Sequence, residues 1–201
     1  MLSKLRDAFT HYVSFTDEEW DLISQNIFIK SYKKNELLLT EGKICTYVAF
    51  LVGGIVRYYF VRNGKEITVQ FFLENSFFSD YRSFIRREPS TFYIEALEDC
   101  TLLMISKDDI DKLYNYIPRF ERFGRIMAEN LYLSIADKTI RLMGESPEEK
   151  FSTLIHEQSE LIRRVPQYML SSYLGVTPEA YCRIKKRFLS TNNKKREVAF
   201  A

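Results

Sequence analysis

Between Phe28 and Ile105 the apolar residues come in short β-branched and aromatic runs. They are Leu37-Leu38-Leu39, Tyr47 to Val52, Ile55 to Val61, Ile67 to Phe72, Phe92 to Leu97 and Thr101 to Ile105. Turn formers separate them: Glu41-Gly42, Gly53-Gly54, Asn63-Gly64 and Glu74-Asn75-Ser76. Asn63-Gly64 is the sharpest of these signals, because a type I′ hairpin needs positive φ at both central residues. Short strands at regular spacing predict an antiparallel sandwich or barrel. Ahead of this stretch, Thr16 followed three residues later by Glu19 has the spacing of a capping box and predicts a helix start.

After Ser106 the period becomes helical. Ser106-Lys107-Asp108-Asp109 predicts a short helix that ends near Tyr116, and Pro118 opens a long one through Met143. In the long segment Phe120, Phe123, Met127, Leu131, Ile135 and Leu142 recur at helical spacing and form an apolar stripe. Such a stripe packs on the barrel, or on a copy of itself, or on both through different faces. Ser146-Pro147-Glu148-Glu149 then supplies cap, first-position proline and capping-box carboxylate for the next helix, and Gly144 before it marks a domain boundary.

The segment from Pro166 to Phe188 reads as helix, tight turn, helix. Gly175 allows a sharp turn at a helix end. Thr177 caps the second helix and Pro178 takes its first position, where the missing N–H costs nothing. Met169, Leu170, Tyr173, Leu174, Val176, Tyr181, Ile184 and Phe188 are the candidate core. Glu179, Arg183, Lys186 and Arg187 remain for the solvent face. A helix in the major groove needs polar residues near its N-terminus for base edges and cations nearby for phosphate. An ordinary helical hairpin is the alternative on pattern alone.

Charge changes that balance. The chain has 201 residues and a net charge of +2, yet it is polarised. Residues 1–160 carry 20 Lys/Arg against 25 Asp/Glu, and residues 161–201 carry 9 against 2. A basic end on an acidic body points to a phosphate-bearing partner. Lys194-Lys195-Arg196 adds a further phosphate-binding candidate.

Other chemistry is thin. The 3 cysteines, Cys45, Cys100 and Cys182, have neither metal-ligand nor disulfide-framework spacing, and the 2 histidines, His11 and His156, lie far apart. No metal and no cofactor is expected. Asp80 with Glu95 is a conceivable acid pair, more simply read as surface charges, so no enzyme is expected. The N-terminus lacks a secretory pattern, no run is long enough to span a membrane, and the cysteine usage suits a reducing interior, so a cytoplasmic location is expected.

Taken together, the order of elements, the stretch from Tyr47 to Tyr58 with Gly53-Gly54, the Lys65-Glu66-Ile67 hairpin entry and the helix-turn-helix resemble the cyclic-AMP receptor protein and fumarate–nitrate regulator (Crp/Fnr) superfamily of bacterial transcription regulators. The resemblance runs from the N-terminus to Phe188. It implies an α+β fold with a jelly-roll β-barrel like that of cyclic-nucleotide-binding domains over residues 1–117. A long dimerisation helix would follow over residues 118–144, and a helix-turn-helix domain over residues 145–201. It implies a homodimer on double-stranded DNA with an inverted-repeat operator, RNA polymerase as a further partner, and no membrane. Pro178, Glu179 and Arg183 match the base-reading positions, and Gln167, Thr177, Lys185, Lys186 and Arg187 are candidate phosphate contacts. The alternative is a signalling module whose C-terminal helices bind protein.

The likeness breaks at the effector site. The positions of the family's phosphate cassette are Ser79-Asp80 and Ser90-Thr91, with Ser90 in place of the arginine that neutralises the cyclic phosphate. The purine-contacting pair on the long helix falls on Ile135 and Ala136, beside Leu131; Val69 and Gln70 complete the candidate pocket. A buried phosphate without a cation is costly, so cyclic AMP is not expected to bind, and a different effector is left open. Arg82, Arg86 and Arg87 lie nearby and are expected to be solvated. The many aromatics, Phe71, Phe72, Phe77, Phe78 and Phe92 among them, predict a pocket either filled by its own side chains or suited to an apolar ligand. The family's four-cysteine iron–sulfur site is absent. Few residues follow the second helix of the motif, so the usual β-wing is expected to be short or missing.

Overall fold

A computed structural model describes residues 1–199, with side chains through Ser190. The chain begins with helices α1 (Leu2–Thr10) and α2 (Asp17–Gln25). Strands β1 (Phe28–Tyr32), β2 (Leu37–Leu39), β3 (Tyr47–Gly53), β4 (Val56–Arg62), β5 (Lys65–Phe72) and β6 (Phe77–Phe78) follow. Helix α3 (Tyr81–Arg86) precedes β7 (Tyr93–Ala96) and β8 (Cys100–Ser106). The rest is helical: α4 (Lys107–Tyr116), α5 (Pro118–Gly144), α6 (Pro147–Glu157), α7 (Ser159–Arg164), α8 (Gln167–Leu174) and α9 (Pro178–Ala199).

The strands form two antiparallel sheets, ordered β1-β8-β3-β6 and β2-β7-β4-β5. This is the antiparallel sandwich that the short runs predict, in the jelly-roll form that the resemblance implies. The β4–β5 hairpin turns on Asn63 at φ 53° and Gly64 at φ 71°, the backbone a type I′ turn requires. Both predicted capping boxes form, Thr16 with Glu19 and Ser146 with Glu149.

Strand alternation sends the two faces of β3 to different partners. The Tyr47 hydroxyl donates to the Leu38 carbonyl of the opposite sheet (3.2 Å), so Tyr47, Ala49 and Leu51 face the barrel interior. Val48 and Phe50 face the other way, toward the helices. There α1 lays Leu5 and Phe9 on the sheet, and Phe9 stacks on Phe123 of α5 at 4.2 Å and meets Phe77 edge-on at 5.5 Å. Helix α1 has no counterpart in the sequence reading. Its only inward residues are four apart on a short charged segment.

A second apolar cluster crosses between barrel and C-terminal helices. It joins Ile55, Phe71 and Leu97 to Phe151, Leu154, Leu161, Val165, Met169, Leu170, Leu174, Tyr181 and Ile184. No strand follows α9's start among the described residues; α9 itself continues to Ala199. The Lys194-Lys195-Arg196 side chains lie outside the described residues.

Candidate nucleic-acid interface and sensor pocket

The turn between α8 and α9 follows from its residues. Gly175 adopts φ 71° and ψ 30°, a left-handed conformation open to glycine at low cost. Its N–H bonds to Ser172 O (3.1 Å) and that of Val176 to Ser171 O (3.0 Å), which satisfies the last carbonyls of α8. Thr177 Oγ1 then accepts the Ala180 N–H (3.2 Å), and Pro178 opens α9.

Helix α9 buries Tyr181 and Ile184 and half-buries Phe188, so its opposite face is set. Glu179, Arg183, Lys186 and Arg187 are exposed on that face, together with Pro178 and Thr177 at its start. Lys185 is half-buried beside it. Gln167, exposed at the start of α8, reaches the same face: its Oε1 lies 3.5 Å from Cys182 Sγ. Backbone and Thr177 hydrogen bonds, then Arg183, hold the Glu179 carboxyl below its usual pKa, so it remains an acceptor. Arg187 is engaged by Glu148 at 3.4 Å.

The domain bearing this face is strapped to the barrel. Arg164 of α7 forks onto two carboxylates, Glu74 (2.6 and 3.0 Å) and Glu98 (2.6 and 3.0 Å). Such charge-assisted forks are strong and directional, and Arg164 holds Glu74 below the usual carboxylate range. Ser172 of α8 inserts into the edge of β5, accepting the Thr68 N–H (3.0 Å) and donating to Glu66 O (3.1 Å). Beneath it Arg57 is fully buried, bonded to Thr68 Oγ1 (2.9 Å) and Glu66 (2.6 Å) and lying over the Tyr59 ring. Neither Arg164 nor Arg57 was singled out in the sequence. A lone arginine in a strand or a short helix carries no signal until its carboxylate partners are placed.

The sensor-pocket candidates separate into four places. Asp80, Ser90 and Thr91 surround a cavity of about 40 Å³ together with Arg82 and Phe92. Space for about one water is left there. Asp80 is spent capping α3 by accepting the Ser83 N–H (3.3 Å). Ser90 Oγ is spent within its own turn, donating to Phe92 O (3.0 Å) and accepting the Phe92 N–H (2.9 Å). Tyr58 stacks on Phe92, which lines this cavity, at 4.5 Å; burial, then Asp80, pushes its phenol pKa up. Ser79 faces elsewhere, donating to Tyr47 O (2.9 Å), and lines with Leu131 a separate apolar cavity. Val69 and Gln70 are taken by Lys138 of α5, which donates to Val69 O and to Gln70 Oε1 (2.9 Å). Ile135 stands 57% exposed on α5.

Two expectations need correction. Asp80 and Glu95 are not surface charges: Asp80 is buried and Glu95 lies against Arg57 (3.5 Å), in two separate networks. Arg87 is not simply solvated; it pairs with Asp108 (2.8 Å) and Asp111 (3.4 Å). No helix of the described residues is long and apolar enough to cross a membrane, and no group of metal-ligating side chains gathers among them.

A jelly-roll barrel, a long helix and a pair of helices joined by a tight turn follow one another along the chain. Residues 29–116 match the cyclic nucleotide-binding domain family, and the chain has the fold of Crp/Fnr regulators. FixK2 from Bradyrhizobium japonicum shares 20% identity at a TM-score of 0.68, covering 83% of this chain and 86% of its own. The c-di-GMP-responsive global regulator CLP of Xanthomonas campestris shares 16% at 0.68, covering 88% and 93%. A protein from Eubacterium rectale described as a crp/fnr-family transcriptional regulator shares 19% at 0.67, covering 88% and 85%. No curated protein sequence matches the chain.

Proposed function

We propose that the chain is a sequence-specific, DNA-binding transcription regulator that works as a cytoplasmic homodimer on an inverted repeat. The division follows the sequence: residues 1–117 sense, 118–144 form the dimer seam, and 145–201 bind DNA. The observation that carries this reading is the exposed face of α9. Glu179 and Arg183 project beside a basic flank, on a helix whose other side is locked in the core. Glu179 is suited to accept from a cytosine amino group and Arg183 to fork onto guanine. Gln167, Thr177, Lys185, Lys186 and Arg187 surround them as phosphate contacts. A dimer seam on α5 sets two such helices about one DNA turn (~34 Å) apart. RNA polymerase as a further partner rests on the family likeness alone.

The small cavity at Asp80 and Ser90 speaks against a cyclic nucleotide in the family's usual place. It has little volume, and Ser90 stands where the family's arginine would neutralise the phosphate; the arginine that lines it, Arg82, is exposed to solvent.

Selection from random duplex DNA tests the reading. Enrichment of an inverted repeat is expected; no enrichment at low salt overturns it in favour of a protein-binding signalling module. On the selected site, Arg183→Ala is expected to cost about 1–3 kcal/mol and to relax one base position. Lys186→Ala is expected to weaken all sequences alike and flatten the salt dependence. Equal loss on cognate and random DNA from Arg183→Ala would reassign Arg183 to phosphate.

A further inference from the structure

We propose that the apolar cavity on the helical side of the first sheet is a binding site for a small uncharged molecule, aromatic or alkyl in character. The cavity measures about 370 Å³, within the range of small-molecule sites at ~300–1,000 Å³. Its floor is Val48 and Phe50 of β3 with Leu103 and Ile105 of β8. These side chains point to the helical side; the cavity takes in Ser79 and Leu131 from the effector positions but none of Asp80, Ser90 and Thr91, where a cyclic phosphate would sit. Helix α3 stands between the two cavities: Tyr81 and Phe84 line the large one, Arg82 and Ser83 the small one. They share no lining residue.

The chemistry of the ligand follows from the walls. No Lys, Arg, His, Asp or Glu lines the cavity among the described residues, and its ionisable groups are two tyrosines, Tyr81 and Tyr114. Burial pushes both phenols up, Tyr114 to about 12, so they stay neutral. An anion here would be buried with no countercharge, which is prohibitive. Aromatic rings from α1, β6 and α5 (Phe9, Phe77 and Phe123) present faces and edges to a flat or branched apolar guest. Polar groups sit at the margin. Gly124 lets the Tyr114 ring cross α5, at a spot where an added Cβ would fall 2.1 Å from its hydroxyl. Asn130 and Ser134 mark the rim. This is the composition of a ligand pocket, mostly apolar with a few convergent polar groups. A close-packed interior forfeits dispersion contacts around a void this large, and an apolar guest restores them.

The place matters as much as the chemistry. The cavity's roof is α5 from Phe120 to Ser134, and beyond Leu131 the apolar residues Tyr132, Leu133, Ile135, Ile140, Leu142 and Met143 of the same helix are exposed. A guest therefore bears on the helix at the point where the proposed dimer seam begins. That link to DNA binding rests on the regulator reading; the site itself does not, and its test contains no DNA.

The test is a fluorescence titration of the full chain with N-phenyl-1-naphthylamine, an uncharged probe that brightens in apolar surroundings. A saturable rise at one probe per chain is expected. Ala128→Phe, which fills the cavity from α5, is expected to weaken binding about tenfold, and Ile140→Phe on the bare face to leave it unchanged. Millimolar cyclic AMP is expected not to displace the probe. If Ala128→Phe fails to melt cooperatively, Ser134→Trp at the rim replaces it as the blocking variant. The proposal is overturned by the absence of saturable binding, by wild-type affinity in the blocking variant, or by displacement with cyclic AMP. Loss of binding as the protein concentration rises into the dimer range also overturns it, because a second copy would then be the occupant.

Discussion

The two halves of α5 carry the same kind of residue and meet opposite fates. In the first half Phe120 and Phe123 are 3% and 7% exposed, sealed against α1, β6 and α4. In the second half Tyr132, Ile135, Ile140 and Met143 are 71%, 57%, 69% and 85% exposed. Ile135 and Leu142 continue the line of Phe120, Phe123 and Met127 past the end of the barrel, while Tyr132, Ile140 and Met143 lie on the flank turned away from it. Scattered surface apolar residues are ordinary, but a row on one helix marks an interaction face. The comparison teaches that a stripe read from sequence is a statement about burial, not about what does the burying. The first half covers the barrel, and the exposed second half is where the proposed dimer seam lies.

The sharpest test of that division is in the first half. Phe123→Ala removes a ring that contacts Phe9 and Phe77, and a loss of about 3–5 kcal/mol in unfolding stability is expected by urea denaturation. A loss below about 1 kcal/mol would mean that this half is also loosely packed.

In the second half, Ile135→Glu with Ile140→Glu is expected to leave the chain folded and to weaken self-association. The expected loss is at least about 100-fold, or ~2.7 kcal/mol, by analytical ultracentrifugation. Unchanged association would move the seam elsewhere; unfolding would mean that the face is covered within the chain.

The smallest effect concerns Lys138, which ties the bare half back to β5. Burial pushes its ammonium from the usual 10.5 down to about 8, under the Tyr173 ring at 4.6 Å. The folded chain therefore gives up this proton before the unfolded chain does. Between pH 8 and 10.5 the unfolded state holds more protons, so this group's contribution to stability rises with pH across that window. Buried tyrosines oppose it above pH 10. Tyr59 and Tyr114 are pushed up to about 12, and the stability they add is lost as pH climbs from 10 through 12. From pH 8 to 10, wild type is expected to gain about 1–3 kcal/mol relative to Lys138→Met, measured by urea melts at each pH. Parallel pH profiles for the two proteins would show that Lys138 is solvated.

The elements were legible where local chemistry suffices. The Asn63-Gly64 hairpin, the Thr16 and Ser146 caps and the Gly175-Thr177-Pro178 turn all form as their residues demand. Helix α7 and helix α1 were not, because each is short and few of its residues turn inward. The aromatics show the same limit. Phe92 lines the small cavity, Phe72, Phe77 and Phe78 line the large one, and Phe71 turns from the barrel to meet Tyr173 at 5.3 Å. The choice between a filled pocket and an apolar one had no single answer in the sequence, because the aromatics divide between a nearly filled space at Asp80 and Ser90 and an apolar cavity beneath the helices.

By itself the sequence determined the succession of main strands and longer helices, the turns that join them, and the charge of the last helix's outward face. These depend on neighbours a few residues away, on period, cap and turn geometry. Only the tertiary structure decided that Ser90 bonds within its own turn, that Arg164 finds Glu74 and Glu98, and that α5 is sealed at one end and bare at the other. Those outcomes join residues far apart in the chain. Burial is a property of what arrives from elsewhere, and no local pattern records it.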